Sequence, residues 1–214
     1  MYNPGYNYFG AIRQGFSHIR FLHAAPGAPA VDVYANGNLI VRGLSYRGFT
    51  QYLQLVPGQY NIRVFPTGTT GPTVLDTVVD VPVQSIVTAA VVGILPNIGV
   101  RAFFEPILPI PPGKLYLRFG NLVPDSTGAD LTLADGTILF EDVSFGAATN
   151  YISIFPGTYA FNIKQSGTNT NLLYVPNIQL TQGRFYTIYF IGLIRGNPAL
   201  QVLIPLDGNS YIQL

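Results

Sequence analysis

Few residues in this chain could do chemistry. It holds two histidines, His18 and His23, and no cysteine. His23 opens the run HAAPGAPAVDVYANG, which also contains Asp32. A carboxylate that fixes an imidazole tautomer is the pairing from which a general base is made. The lack of cysteine excludes a thiol nucleophile, a disulfide framework and thiolate zinc sites. His18 lies an odd number of residues from His23, so on one strand the two rings face opposite ways and cannot share a metal. No Asp-x-Asp-x-Asp calcium loop and no Gly-x-Ser-x-Gly motif is present.

An internal repeat tests the His23–Asp32 pair. GLSYRGFTQYLQLVPGQYNIRV, from Gly43, recurs as DVSFGAATNYISIFPGTYAFNI, from Asp142, so Ser45, Tyr52, Pro57, Gly58 and Tyr60 return as Ser144, Tyr151, Pro156, Gly157 and Tyr159 at an offset of 99 residues. Asn36-Gly37 likewise becomes Asp135-Gly136. When Pro26 is aligned with Pro124, Asp32 meets Asp130 and His23 meets Asn121. The carboxylate is retained and the imidazole is not. Asp32 and Asp130 therefore read as acceptors for loop N–H groups, and His23 as a packed strand-end histidine donating to a loop carbonyl. The expected assignment is no enzyme, with no catalytic, cofactor-binding or metal residues. His23, Pro26, Asp32, Asn36, Gly37, Pro57 and Gly58, with Asp130, Asp135, Gly136, Pro156 and Gly157, form a structural signature.

These residues must be positioned by strands. Short β-branched and aromatic runs are punctuated by Gly, Pro, Asn or Asp every eight to twelve residues, and no helical periodicity stands out. Asn36-Gly37 and Asp135-Gly136 predict type I′ hairpins, and Pro57-Gly58 and Pro156-Gly157 predict two more. SIVTAAVVGIL and RFYTIYFIGLI are apolar on both faces, which predicts central strands covered on both sides, in part by the other copy or another molecule. Seven or eight strands per copy predict an all-β chain of two tandem antiparallel β-sandwiches, immunoglobulin-like or transthyretin-like. The predicted organisation is an aromatic arm at 1–16, a first sandwich at 17–104, a stiff Pro-rich connector at 105–113 and a second sandwich at 114–214.

Charged residues make up 10% of the chain and the net charge is +1. No basic cluster could track phosphates, so nucleic acid is not expected as a partner. The longest apolar runs are too short to span a bilayer as helices, and the N-terminus shows no Sec-type signal peptide. Near-zero charge removes the self-repulsion that keeps molecules apart. Tyr2, Tyr6, Tyr8, Phe9, Ile12 and Phe16 give the arm an aromatic content unlike that of a disordered tail, and they are read as a candidate assembly arm that adds to a neighbour's sheet edge.

HAAPGAPAVDVYANGNLI followed by LSYRGFTQYLQLVPGQYNIRV closely resembles the bacterial and archaeal domain family DUF4397. Residues 18 to about 104 carry the pattern strongly, and residues 114 to about 205 carry it through Asp130, Asp135-Gly136, Tyr151 and Pro156-Gly157-Thr158-Tyr159. The resemblance implies a β-sandwich of cell-surface and exported proteins without established catalysis. A compact, Tyr-rich, leaderless version looks like a spore-coat or spore-appendage component. The expected function is thus a non-enzymatic structural protein on a spore or cell surface. It would assemble with itself, or with other surface or spore-coat proteins, into a fibre or layer through strand edges and the arm. The alternative is an adhesion module holding a carbohydrate or protein through the Ala24–Pro29 loop and exposed aromatics.

Overall fold

The computed structural model describes residues 15–214. Tyr2, Tyr6, Tyr8, Phe9 and Ile12 lie outside the described residues, and Phe16 is half exposed. The first copy contributes strands β1 (Ser17–His23), β2 (Val31–Ala35), β3 (Asn38–Leu44), β4 (Leu53–Leu55), β5 (Gly58–Pro66), β6 (Leu75–Val81), β7 (Ile86–Ile94) and β8 (Asn97–Phe104). They form two sheets, ordered β4-β1-β7-β8 and β3-β2-β5-β6. The second copy follows with β9 (Leu115–Asn121), β10 (Ala129–Leu133), β11 (Ile138–Val143), β12 (Ala147–Ala148), β13 (Ile152–Ile154), β14 (Gly157–Gln165), β15 (Asn171–Leu180), β16 (Phe185–Ile191) and β17 (Gln201–Leu203). Its sheets run β12-β9-β16-β17, with β13 also on β9, and β11-β10-β14-β15. Each copy is a β-sandwich, antiparallel apart from one parallel pair, β1 with β7 and β9 with β16. A single 3-10 turn, Gly208–Ser210, is the helical content of the described residues. Residues 105–113 form no strand, and no described helix is long and apolar enough to cross a membrane.

Three of the four predicted turns differ from the expectation. Asn36 and Gly37 both take positive φ, 48° and 81°, as a type I′ turn requires. At Asp135-Gly136 only Gly136 does so. There the loop is one residue longer, closed by Leu133 N–H to Thr137 O at 2.8 Å, and the Asp135 carboxylate accepts the Thr137 N–H at 2.8 Å. The Pro-Gly pairs are not hairpins either. β4 pairs with β1 and β5 with β2 and β6, so Pro57-Gly58 is a corner that carries the chain from one sheet to the other, and Pro156-Gly157 repeats it between β13 and β14. Proline has no N–H to lose from a ladder, which suits it to a point where pairing changes sheets. Tyr60 and Tyr159 brace the corners by donating to the Val56 and Phe155 carbonyls.

Alternation then sorts the side chains. Ile19, Phe21, Val33, Ile62, Val64, Val87 and Ala89 fill the first core, and Leu117, Phe119, Leu131, Phe161, Ile163 and Ile188 the second. Each fully buried Leu, Ile or Phe contributes about 1.5–3 kcal/mol. The opposite face of β1, β7, β9 and β16 packs copy against copy. Leu22, Ala24, Ala90, Val92 and Phe103 of the first meet Leu122, Tyr189 and Ile191 of the second. The molecule is therefore four sheets deep, which explains why β7 and β16 are apolar on both faces.

Candidate functional site

His23 and Asp32 are not brought together as an acid–base pair. His23 sits fully buried at the end of β1. Its Nδ1 accepts the Ala25 N–H at 3.3 Å and its Nε2–H donates to the Pro29 carbonyl at 2.9 Å, an arrangement that needs the neutral ring. Burial pushes its pKa below the usual 6.5, against the opposing pull of the Pro29 carbonyl. Asn121 does the same work in copy two, where Oδ1 accepts the Val123 N–H at 3.0 Å and Nδ2 donates to Val143 O at 2.8 Å. The Asp32 carboxylate is occupied by the Gly43 and Gly68 N–H groups at 2.7 and 3.0 Å. The Gly68 bond is the largest cause that lowers its pKa, ahead of the opposing effect of burial. Asp130 repeats the pattern with the Asp142 N–H at 2.7 Å and the Ser166 hydroxyl. Ala24 and Ala25 are fully buried, so the start of the Ala24–Pro29 loop offers no binding surface.

Four buried charged residues, Arg20, Glu105, Arg118 and Asp207, lie between the sandwiches and obey an approximate two-fold relation. Arg20 on β1 donates through Nε to Thr88 on β7 at 2.7 Å, and Arg118 on β9 donates to Thr187 on β16 at 2.7 Å. Thr88 donates to Glu105 at 2.6 Å and Thr187 to Asp207, while Tyr52 reaches Glu105 at 2.8 Å and Tyr151 reaches Asp207 at 2.7 Å. Each arginine also crosses to the other copy. Arg20 Nη1 donates to Leu206 O at 2.9 Å, and Arg118 Nη1 to Phe104 O at 2.6 Å. The relation breaks at the ion pairs. Arg20 Nη2 bonds Asp207 Oδ1 at 2.7 Å and stands 3.6 Å from Glu105, whereas Arg118 Nη2 has no partner among the described residues. Burial, and then the charge of Asp207, raises the Glu105 pKa.

This network is closed off from solvent, with Glu105 and Asp207 2% and 0% exposed. It acts as a lock between the copies. Its signal in the sequence is the recurrence of Arg20 and Thr88 as Arg118 and Thr187. Among the described residues no cluster of three His, Cys, Asp or Glu side chains could hold a metal.

An open site lies elsewhere, on the outer face of the first sandwich. Tyr34 on β2 meets Phe65 on β5 edge-on, with ring centroids 5.4 Å apart at 81°. Beside them Arg63 Nε donates to Asp76 Oδ2 at 3.1 Å, and Asn61 Nδ2 donates to Asp76 Oδ1 at 2.9 Å. Strand pairing fixes this set, because Tyr34 is opposite Arg63 on one side and Asp76 is opposite Arg63 on the other. Tyr34, Gly37, Arg63, Phe65 and Thr70 line a shallow depression of about 220 Å³, and the Arg63 and Asp76 side chains are 51% and 44% exposed. At the same register positions copy two has Thr132, Asn162 and Tyr174, with Lys164 in place of Phe65. The fold does not require the set, and nothing in the sequence spacing announced it.

The family model described as "Domain of unknown function (DUF4397)" matches residues 17–132 and again residues 115–210. No curated protein matches the chain. Among solved structures, similarity extends to the carbohydrate-binding module CBMbc (family CBM26) from Eubacterium rectale Amy13K in complex with maltoheptaose. Identity is 9%, over 91% of this chain and 99% of that one, with a TM-score of 0.29. A streptococcal virulence factor solved for its alpha-glucan binding is 12% identical over 92% of this chain and 99% of its own, with a TM-score of 0.28. At such TM-scores neither likeness carries an argument about what this chain binds.

Proposed function

We propose, for a chain that belongs to the DUF4397 family and carries two copies of its domain, that it is a non-catalytic binding module for carbohydrate. The outer face of its first sandwich would be the ligand surface. The observation that carries the reading is the set of exposed Arg63 and Asp76 beside half-buried Tyr34 and Asn61, which copy two replaces without loss of fold. A pyranose has an apolar C–H face and a rim of hydroxyls in fixed directions. The Tyr34 ring presents an apolar surface with a polar tip. Arg63, Asp76 and Asn61 hold fork-shaped donors and acceptors side by side, which suits paired hydroxyls. Such ligands place its work at a cell or spore surface or outside the cell.

The test is a glycan array probed with the purified protein, followed by titration of the best hit. Binding is expected to fall at least tenfold in both Tyr34→Ala and Arg63→Ala while melting temperature stays within a few degrees. An array that stays blank removes the carbohydrate reading.

Self-assembly is a second reading, favoured by β6. It is the terminal strand of its sheet and exposes Val78 at 56%, although Asp76 and Asp80 on the same strand discourage unselective pairing. Negative-stain microscopy of the full chain beside one lacking residues 1–16 decides it. Polymers that vanish on truncation are expected, and monodisperse particles from both chains overturn it.

A further inference from the structure

The first sandwich leaves a space in its core where the second places bulkier side chains. An apolar cavity of about 70 Å³ lies between its sheets, lined among others by Ile19, Ile62, Val79, Val87, Ala89 and Ala102. Strand register identifies the copy-two counterparts. Ile19 opposite Val87 becomes Leu117 opposite Tyr186, and Phe21 opposite Ala89 becomes Phe119 opposite Ile188. Tyr60 opposite Val79 becomes Tyr159 opposite Ile178, and Ile62 becomes Phe161. The register running from Tyr186–Leu206 to Phe190–Val202 sets Ile204 against Ile188, where copy one sets Ala102 against Ala89. Five of these six counterparts are bulkier, Leu117 is the isomer of Ile19, and all six pack into the second core. One frame thus carries larger side chains in copy two at the positions that border the open space in copy one.

We infer that this cavity is a binding site for the end of an unbranched alkyl chain. Engineered apolar cavities of about 150 Å³ stay dry and take up a benzene ring. This one is smaller, so a chain end fits where a ring does not. The chain can continue outward because Asp80, Pro82 and the half-exposed Phe104 also border the cavity. Among the described residues of the lining Asp80 is the sole charged one, which sets the preference for the head of the amphiphile. A cationic or neutral head is accepted at the mouth and a carboxylate is repelled.

The test uses the full chain and the probes hexylamine, hexan-1-ol and hexanoate, with binding read by chemical-shift changes at the methyl groups of Val87, Ala89 and Ala102. Hexylamine is expected to bind more tightly than hexanoate, with affinity across the alkylamine series rising about fourfold per methylene until the cavity is full. Ala89→Ile and, separately, Ala102→Ile transplant the copy-two residues and are expected to reduce hexylamine binding at least tenfold. Asp80→Asn is expected to narrow the gap between hexylamine and hexanoate. The second filling variant keeps the test decisive if the first is overpacked and unfolds. Absence of shifts in the unmodified protein, or undiminished binding in a folded filled variant, overturns the inference. The result stands apart from the glycan reading, since Tyr34 and Arg63 do not line this cavity.

Discussion

Copy one ends its first strand with His23 and copy two ends the equivalent strand with Asn121, and both side chains accept the N–H two residues on while donating to a carbonyl. Across the interface Leu22 and Ala90 of copy one stand where copy two has Gly120 and Tyr189, so bulk moves from one strand to its neighbour. A Cβ on Gly120 would meet the Tyr189 ring at 3.1 Å. The comparison separates two kinds of residue. Those that differ in name but keep the same hydrogen bonds serve the frame. Those that differ in what they present, as Tyr34, Arg63 and Asp76 do against Thr132, Asn162 and Tyr174, are free of the frame and open to selection for function.

The lock between the copies gives the largest expected effect. Arg20→Ala leaves the Asp207 carboxylate buried without its cation, and such losses cost about 3–5 kcal/mol. Arg118→Ala is expected to cost less, because among the described residues Arg118 makes no bond to a carboxylate and one of its nitrogens finds no partner. Denaturant unfolding of the two variants side by side checks the order, and equal losses would mean that the ion pair with Asp207 carries no special weight.

Next comes the carboxylate kept in both copies. Asp32→Ala removes the acceptor of the Gly43 and Gly68 N–H groups and is expected to cost about 1.5–3 kcal/mol, as for hydrogen bonds to a charged group. Asp130→Ala should match it within about 1 kcal/mol, and a near-neutral result in either copy would remove that residue from the frame.

His23 adds a pH dependence that Asn121 cannot have. Its folded pKa is lowered by burial, so between about 6.5 and that lower value the unfolded chain binds the extra proton. Stability therefore falls as pH falls below 6.5, by at most about 1.4 kcal/mol per pH unit. Glu105, raised by burial, acts with the opposite sign, so the comparison with His23→Asn isolates the histidine. That variant is expected to fold and to show a flatter stability profile between pH 5 and about 6.5. An unchanged profile would show that His23 is not held neutral.

The smallest effect is expected at Tyr189, whose hydroxyl is fully buried with no partner among the described residues and whose pKa burial pushes up to about 12. Tyr189→Phe is expected to be neutral or stabilising by about 1 kcal/mol. A clear loss of melting temperature would reveal a partner for that hydroxyl.

The frame was legible in the sequence because repetition exposes it. Turn residues, the conserved spacing of Tyr52 and Tyr151, and the apolar runs of β7 and β16 each recur in both copies, and strand alternation follows from a two-residue period. The Pro57-Gly58 corner was misread as a hairpin because local turn chemistry does not say which sheet a strand joins. Asp135-Gly136 was misread because a one-residue change in loop length alters the turn type. The lock was half visible, since Arg20 and Arg118 recur while Glu105 and Asp207 lie outside the repeated motif. The open face was invisible, because Tyr34, Arg63 and Asp76 come from three strands and meet only through register.

The proposed ligand face of the first sandwich has no counterpart at the same register positions of the second, so exchanging residues between the copies is the direct test. In a single variant Tyr34→Thr and Arg63→Asn install the copy-two residues, and glycan binding is measured by titration beside the unmodified protein. The account predicts that binding is lost while melting temperature is nearly unchanged. Binding that survives the exchange in the folded variant would contradict it.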